Sequence, residues 1–252
     1  MVMHRDPGLA GPSNFRDLGG YTTTEGRQLR WRRVFRSDAL RLTDADVVLL
    51  RDEVGLRSVI DLRAGFEYGH REGGGNADYA ARMALVGAQR FHLPMVDETR
   101  MAAIASEARP PAARGYLKMF ERGAGPLAEA FRLVADPAMH PVVFHCAAGK
   151  DRTGILAAIL LGVLGADDAT IVADYALSQA NMVRALEKIR ARPDAERILA
   201  NRPPASFLAP TDAVVGFVAA IHDTYGSWSG AAAVIDVNND AIERLRDLLL
   251  TD

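Results

Sequence analysis

Four short apolar runs punctuate the first 150 residues: WRRVFRS at 31–37, RSVIDL at 57–62, RFHLP at 90–94 and PVVFHC at 141–146. Their length and their branched and aromatic content predict strands. Between the first two, Thr43 followed by DADVVLLRDEVG supplies an N-cap, an acidic first turn and a closing glycine, so a helix is expected over about 44–53. Strand and helix signals alternate in this way, which predicts an α/β fold with a short, largely parallel central sheet flanked by helices. From Arg152 onward the apolar period becomes helical over 152–164, 167–179, 180–191, 211–224 and 239–250, with breaks at Gly165, Pro193, Pro203-Pro204 and Gly226. The segment 97–125 lies between two core strands and is too long for a simple turn. It reads as two short helices separated by Arg109-Pro110-Pro111, either a crossover decoration or a lid with Met101, Ile104, Tyr116, Met119 and Phe120 on its underside. No flexible linker demands a second domain, so 1–252 is expected to fold as one domain, with 97–125 as a helical lid insertion.

Composition narrows the classes of function. With 252 residues and 49% hydrophobic content, the chain can bury a substantial core. Its 30 basic and 32 acidic residues give a formal charge of −2, which leaves no global positive field for nucleic acid, so recognition of an anion must be local. No stretch is long and apolar enough to predict stable membrane insertion or a cleaved secretion signal. With one cysteine there is no intrachain disulfide framework, and a reducing, cytoplasmic setting is the expectation, with export by a route lacking a cleaved signal left open.

That one cysteine falls in VVFHCAAGKDRTG, at 142–154. The apolar run ends at His145-Cys146, and a helix-forming sequence begins near Arg152. The loop therefore lies at the carboxyl end of a strand and the amino end of a helix, where backbone N–H groups converge on anions. A thiolate is stabilised in the same field, which makes Cys146 the expected nucleophile. Ala147, Ala148, Gly149, Lys150, Asp151 and Arg152 would line the cradle, and the Arg152 guanidinium can grip two phosphate oxygens as a planar fork. The Thr153 hydroxyl is placed to bond the cysteine sulfur. His145, alternating to the other face, suits an orienting role. Of the arginines at 27–36, Arg36 is the member expected to contribute to phosphate binding.

His145-Cys146-x5-Arg152-Thr153 resembles the signature of the cysteine-based protein tyrosine phosphatases. The loop HCAAGKDRTG is similar to that of their bacterial branch of tyrosine and triple-specificity phosphatases, which carry lysine and aspartate inside the loop and bear a helical lid. NFRDLGGY at 14–21, RVFRSDAL, VIDLR and YGSWSG at 225–230 extend the resemblance over most of the chain. It implies phosphomonoester hydrolysis without metal or other cofactor. Cys146 would form a cysteinyl-phosphate that water then hydrolyses, with Arg152 and the loop N–H groups stabilising the equatorial oxygens. The substrates implied are phosphorylated proteins or peptides and phosphoinositides. Three aspartates compete as the acid that protonates the leaving group: Asp151 first, inside the loop; then Asp61, at the end of VIDLR; then Asp97, after the strand at 90–94. Lys150 adds charge beside the cradle, a feature shared with phosphoinositide phosphatases. Two other classes compete. A rhodanese-type sulfurtransferase gives no reason for Arg152-Thr153 at this spacing, and a non-catalytic phosphate-binding module gives none for retaining both the cysteine and the arginine.

Overall fold

A computed structural model describes residues 4–65, 67, 76–96, 112–200 and 207–252. Five strands form one sheet: β1 (Arg16–Asp17), β2 (Val34–Ser37), β3 (Ser58–Asp61), β4 (Gln89–His92) and β5 (Val142–His145). Their spatial order is β1-β2-β5-β3-β4, with β1 antiparallel to β2 and every other pairing parallel. This is the expected α/β architecture, and the four anticipated strands each lie within or beside the apolar runs. Val34-Phe35, Val59-Ile60 and Val142-Val143-Phe144 put adjacent apolar residues in sequence rather than alternating ones because β2, β3 and β5 are buried on both faces. Along β5, Val142 and Phe144 enter one core and Val143 the other, the two-residue alternation of a strand sandwiched between layers.

The helices are α1 (Asp44–Val48), α2 (Asn76–Val86), α3 (Ala112–Arg122), α4 (Ala124–Val134), α5 (Asp151–Val163), α6 (Asp168–Arg190), α7 (Ala195–Ala200), α8 (Thr211–Tyr225), α9 (Trp228–Val234) and α10 (Asn239–Leu249). Thr43 caps α1 in a reciprocal capping box with Asp46, and α1 runs on into a π-helical turn over Leu49–Val54. The carboxylate of Asp46 also accepts from the N–H groups of Ala10 at 2.7 Å and Gly11 at 2.9 Å, tying down the N-terminal strap.

The larger core gathers α3, α4, α5, α8, α9 and α10 on one face of the sheet; the smaller one places α1 and α2 on the other. Helix α5 is buried almost all round, as its apolar run predicts. Where two helices were expected over 167–179 and 180–191, one helix of 23 residues runs through. Asp174, Ser178 and Asn181 face inward on it and interrupt the apolar stripe, while no glycine or proline interrupts the backbone. The described half of the 97–125 segment, α3, packs against α8 with Phe120 fully buried. The other half, with Met101, Ile104 and Asp97, lies outside the described residues. Strand β1 and helices α2, α4, α7 and α9 carried no clear signal in the sequence. Among the described residues no helix is long and apolar enough to cross a membrane.

Candidate active site

Strand β5 delivers Cys146 to the carboxyl edge of the sheet, beside β2 and β3, and α5 begins five residues later at Asp151. The thiol is free and buried. The loop between strand and helix turns back sharply at Gly149, where φ is +69° and an added Cβ would lie 2.6 Å from the backbone of Ser37 and Asp38. Only glycine satisfies both the left-handed conformation and that close approach to the end of β2. The backbone N–H groups from Ala147 through Arg152 find no acceptor among the described residues. They form the donor set expected of an anion cradle at a helix start.

The carbonyls of this loop are held from behind. Asn14 donates its side-chain amide to the carbonyls of Ala148 at 3.1 Å and Gly149 at 3.0 Å, and Arg36 donates to that of Gly149 at 2.8 Å. Arg36 was expected to touch phosphate. It lies instead beneath the loop, 1% exposed, clamped by the Asp174 carboxylate. The cause is topological: β2 is an interior strand, and Arg36, the third residue of VFRS, meets Asp174 in the layer that α6 covers. Asp174 also pairs with Arg16 at 3.0 Å and accepts from the Tyr21 hydroxyl at 3.0 Å. Burial raises the Asp174 carboxyl, but the two guanidiniums outweigh it and hold the group well below the usual carboxylate range. Burial lowers Arg36 to about 10, still protonated at neutral pH. Asn14 directly, and Asp174 through the Arg36 it holds, neither foreseen as site residues, thus engage the loop carbonyls from behind.

Arg152 stands at the second position of α5. Glu67 grips its guanidinium with both carboxylate oxygens, one at 2.8 Å and one shorter, and the Leu62 carbonyl accepts at 3.3 Å. Burial opposes the charge, but Glu67 and the neighbouring Cys146 and Asp151 raise Arg152 well above the ordinary arginine value. The arginine is therefore held as a cation with one flank fixed by protein. Nothing in the sequence marks Glu67, because only the turn after β3 brings it to α5. Thr153 is fully buried, and its hydroxyl has no hydrogen-bond partner among the described residues.

His145 faces away from the cradle. Its Nδ1 lies 3.1 Å from the Cys146 carbonyl and its Nε2 lies 2.8 Å from the Tyr79 hydroxyl. A carbonyl only accepts, so Nδ1 carries the proton and Tyr79 donates to Nε2. Burial pushes the ring down to about 4 against the opposing pull of Asp61, so it is neutral at physiological pH. Asp61 is fully buried, with both oxygens on the Arg63 guanidinium at 2.9 and 2.7 Å. Burial alone would raise its carboxyl; the His145 ring, the Arg63 guanidinium and the Arg63 N–H hold it well below the usual range. Second among the expected acids, Asp61 has no proton to lend and braces the strand end. Asp151, the first residue of α5, accepts from the Tyr116 hydroxyl. Lys150 is 8% exposed and donates to the Leu208 carbonyl.

This chemistry has named relatives. A sequence profile described as the tyrosine phosphatase family matches residues 7–251. The chain is 28% identical over 217 residues to a tyrosine-protein phosphatase of Nostoc commune, covering 83% of this chain and 71% of that one. It is 31% identical, over 96% of this chain and 98% of the other, to the triple specificity protein phosphatase PtpB of Mycobacterium tuberculosis. A looser overlap, with a TM-score of 0.41 and 18% identity over 79% of this chain and 91% of the other, joins it to the core catalytic domain of the PP-IP phosphatase SIW14 of S. cerevisiae solved with citrate, and adds nothing to the sequence match. A match over nearly the whole chain, on a loop built to hold an anion above a thiol, places this protein in the tyrosine phosphatase family of phosphoester hydrolases.

Proposed function

We propose that the chain hydrolyses phosphomonoesters of phosphotyrosine, of phosphoserine and phosphothreonine, and of phosphoinositides, through a cysteinyl-phosphate on Cys146. The observation that carries this reading is the cradle itself: N–H groups from Ala147 through Arg152 that find no acceptor among the described residues, beside a buried thiol, with Arg152 fixed as a cation at its rim. Sγ of Cys146 attacks phosphorus, the ester P–O bond breaks, and its electron pair leaves on an oxygen that takes a proton from Asp151. Water then attacks phosphorus, gives its proton to Asp151, and the P–S bond breaks to release inorganic phosphate. The Thr153 hydroxyl, buried and without a partner among the described residues, is the group that eases the thiolate out in that second step. Lys150 accompanies substrates of higher charge, exchanging the Leu208 carbonyl for a phosphate oxygen. From the described end of the segment 97–125, α3 brings the Tyr116 hydroxyl to Asp151.

Cys146→Ser is expected to bind phosphate esters while losing turnover, because serine keeps the shape of the cradle and is a far weaker nucleophile near neutral pH. Arg152→Lys replaces a fork with a point charge and should cost more than tenfold, roughly 1.4 kcal/mol of transition-state stabilisation. Initial rates for both variants and the parent on phosphotyrosine, phosphoserine and phosphothreonine peptides and on phosphoinositide vesicles test the reading. Substantial turnover by Cys146→Ser would sink the covalent route; activity confined to phosphotyrosine would narrow the substrate class.

A further inference from the structure

Asp151 does not stand alone at the start of α5. The Tyr116 hydroxyl, delivered by α3, donates to its Oδ1, and the Tyr175 hydroxyl, on α6, lies 2.7 Å from that of Tyr116. Tyr116 has a single hydroxyl proton and spends it on the carboxylate, so Tyr175 must be the donor between the two phenols. A directed chain results, from Tyr175 to Tyr116 to Asp151, in which each bond polarises the next.

Both rings are fixed. Tyr116 is 8% exposed and Tyr175 2%, and Tyr116 sits edge-on to Tyr175 and to Phe217 of α8, with centroids 6.2 Å away in each case. The Tyr175 ring reaches α5 at Gly154, where a Cβ would stand 3.0 Å from Cδ2. Burial and the nearby Asp151 charge raise the Tyr116 hydroxyl far above its ordinary value, and Tyr175 is raised to about 12, so both remain donors. The second carboxylate oxygen of Asp151, Oδ2, has no hydrogen-bond partner among the described residues.

We infer that Tyr116 and Tyr175 are positioning residues for the acid: they commit Oδ1 of Asp151 to the protein, so that the catalytic proton is carried on Oδ2. The inference rests on the reading of Asp151 as the proton donor. An unheld carboxyl rotates and carries its proton on either oxygen, and half of those arrangements are useless to a leaving group fixed in the cradle. With Oδ1 accepting from Tyr116, protonation falls on the other oxygen. When that proton passes from Oδ2 to the departing oxygen, the carboxylate left behind is already solvated by a buried hydroxyl that needs no reorganisation. Tyr116 and Tyr175 keep their own protons throughout. Water returns a proton to Oδ2 in the hydrolysis of the cysteinyl-phosphate.

The test uses Tyr116→Phe, Tyr175→Phe, Asp151→Asn and the double variant Tyr116→Phe with Asp151→Asn, assayed on phenyl phosphate and p-nitrophenyl phosphate. Phenol is the poorer leaving group and needs its proton; p-nitrophenol leaves without one. Tyr116→Phe should lower kcat on phenyl phosphate about tenfold more than on p-nitrophenyl phosphate, with KM unchanged. Tyr175→Phe should do the same to a smaller degree. In the Asp151→Asn background Tyr116→Phe should add nothing, since the group it positions is gone. Equal losses on both substrates, or losses that add in full to those of Asp151→Asn, would reduce the tyrosines to packing and overturn the proposal. If Asp151→Asn itself shows no dependence on the leaving group, the acid assignment falls and the inference falls with it; if Asp151→Asn shows it and Tyr116→Phe does not, the inference alone falls.

Discussion

Glu67 meets Arg152 with both oxygens, and that contact fixes one flank of the guanidinium while leaving the rest of the fork to a ligand. Glu67→Gln keeps the size but turns an acceptor into an amide facing another N–H donor. The arginine should lose its register, and kcat/KM should fall about tenfold to a hundredfold, roughly 1.4 to 2.7 kcal/mol, with little change in thermal midpoint. Steady-state rates beside a melting curve check this; an unchanged kcat/KM would make Glu67 a bystander. His145 offers a test by pH. Its ring is lowered by burial from 6.5 to about 4, so the unfolded chain binds a proton between those values that the folded protein refuses. The stability that the neutral ring supports is therefore complete above about pH 6.5 and drains as pH falls toward 4, by up to roughly 3 kcal/mol. NMR titration should show the His145 ring neutral down to about pH 5, and urea midpoints should fall across the same window. A ring that titrates near 6.5 would contradict the buried, Nδ1-protonated form.

The packing of α5 against α9 is decided by one missing methyl group. At Gly162 an added Cβ would stand 2.2 Å from the Trp228 ring, whose indole N–H reaches Asp168 at 3.1 Å. Gly162→Ala must displace the ring or separate the helices, a destabilisation of about 1–3 kcal/mol, measurable by chemical denaturation. Pairing it with Trp228→Phe should recover part of the loss by making room. Elements differed in how plainly the sequence spoke for them. Strands β2, β3 and β5 and helix α5 were legible because burial on both faces places adjacent apolar residues at their centres. Strand β1 was not, since Arg16-Asp17 is two residues long and buries charges whose partners, Asp174 for Arg16 and the Gly19 and Arg32 N–H groups for Asp17 among them, the local pattern does not announce. Helix α6 was read as two because its inward face is polar. The catalytic loop was plain, as its chemistry is contiguous in the chain. Asn14, Glu67, Tyr116 and Asp174 were not recognised for their roles at the site, because each reaches the loop from a different element and only the sheet order makes them neighbours.

Across the whole molecule, Asp174 is the knot. It joins Arg16 of β1, Arg36 of β2 and Tyr21 to α6, and through Arg36 it reaches the Gly149 carbonyl. Asp174→Asn would leave two buried guanidiniums with a neutral partner, and the loss of folding stability should be about 3–5 kcal/mol. Denaturant midpoints measure it, and a loss below about 1 kcal/mol would mean that the arginines find other acceptors. The strand order has a further consequence for synthesis on the ribosome. Strand β5 lies in the middle of the sheet, between β2 and β3, yet it is the last strand to be made. Until Val142–His145 leave the exit tunnel, β2 and β3 have no common neighbour, and the β1-β2 and β3-β4 pairs each keep an inner edge unpaired and open to proteases and chaperones. A nascent chain stalled before Pro141 should be degraded like an unfolded polypeptide, whereas one stalled well beyond α6 should resist. Since Cys146 directly follows that final strand, the joined sheet and its reactive thiol come into being together, and the two separate strand pairs made earlier carry no thiol.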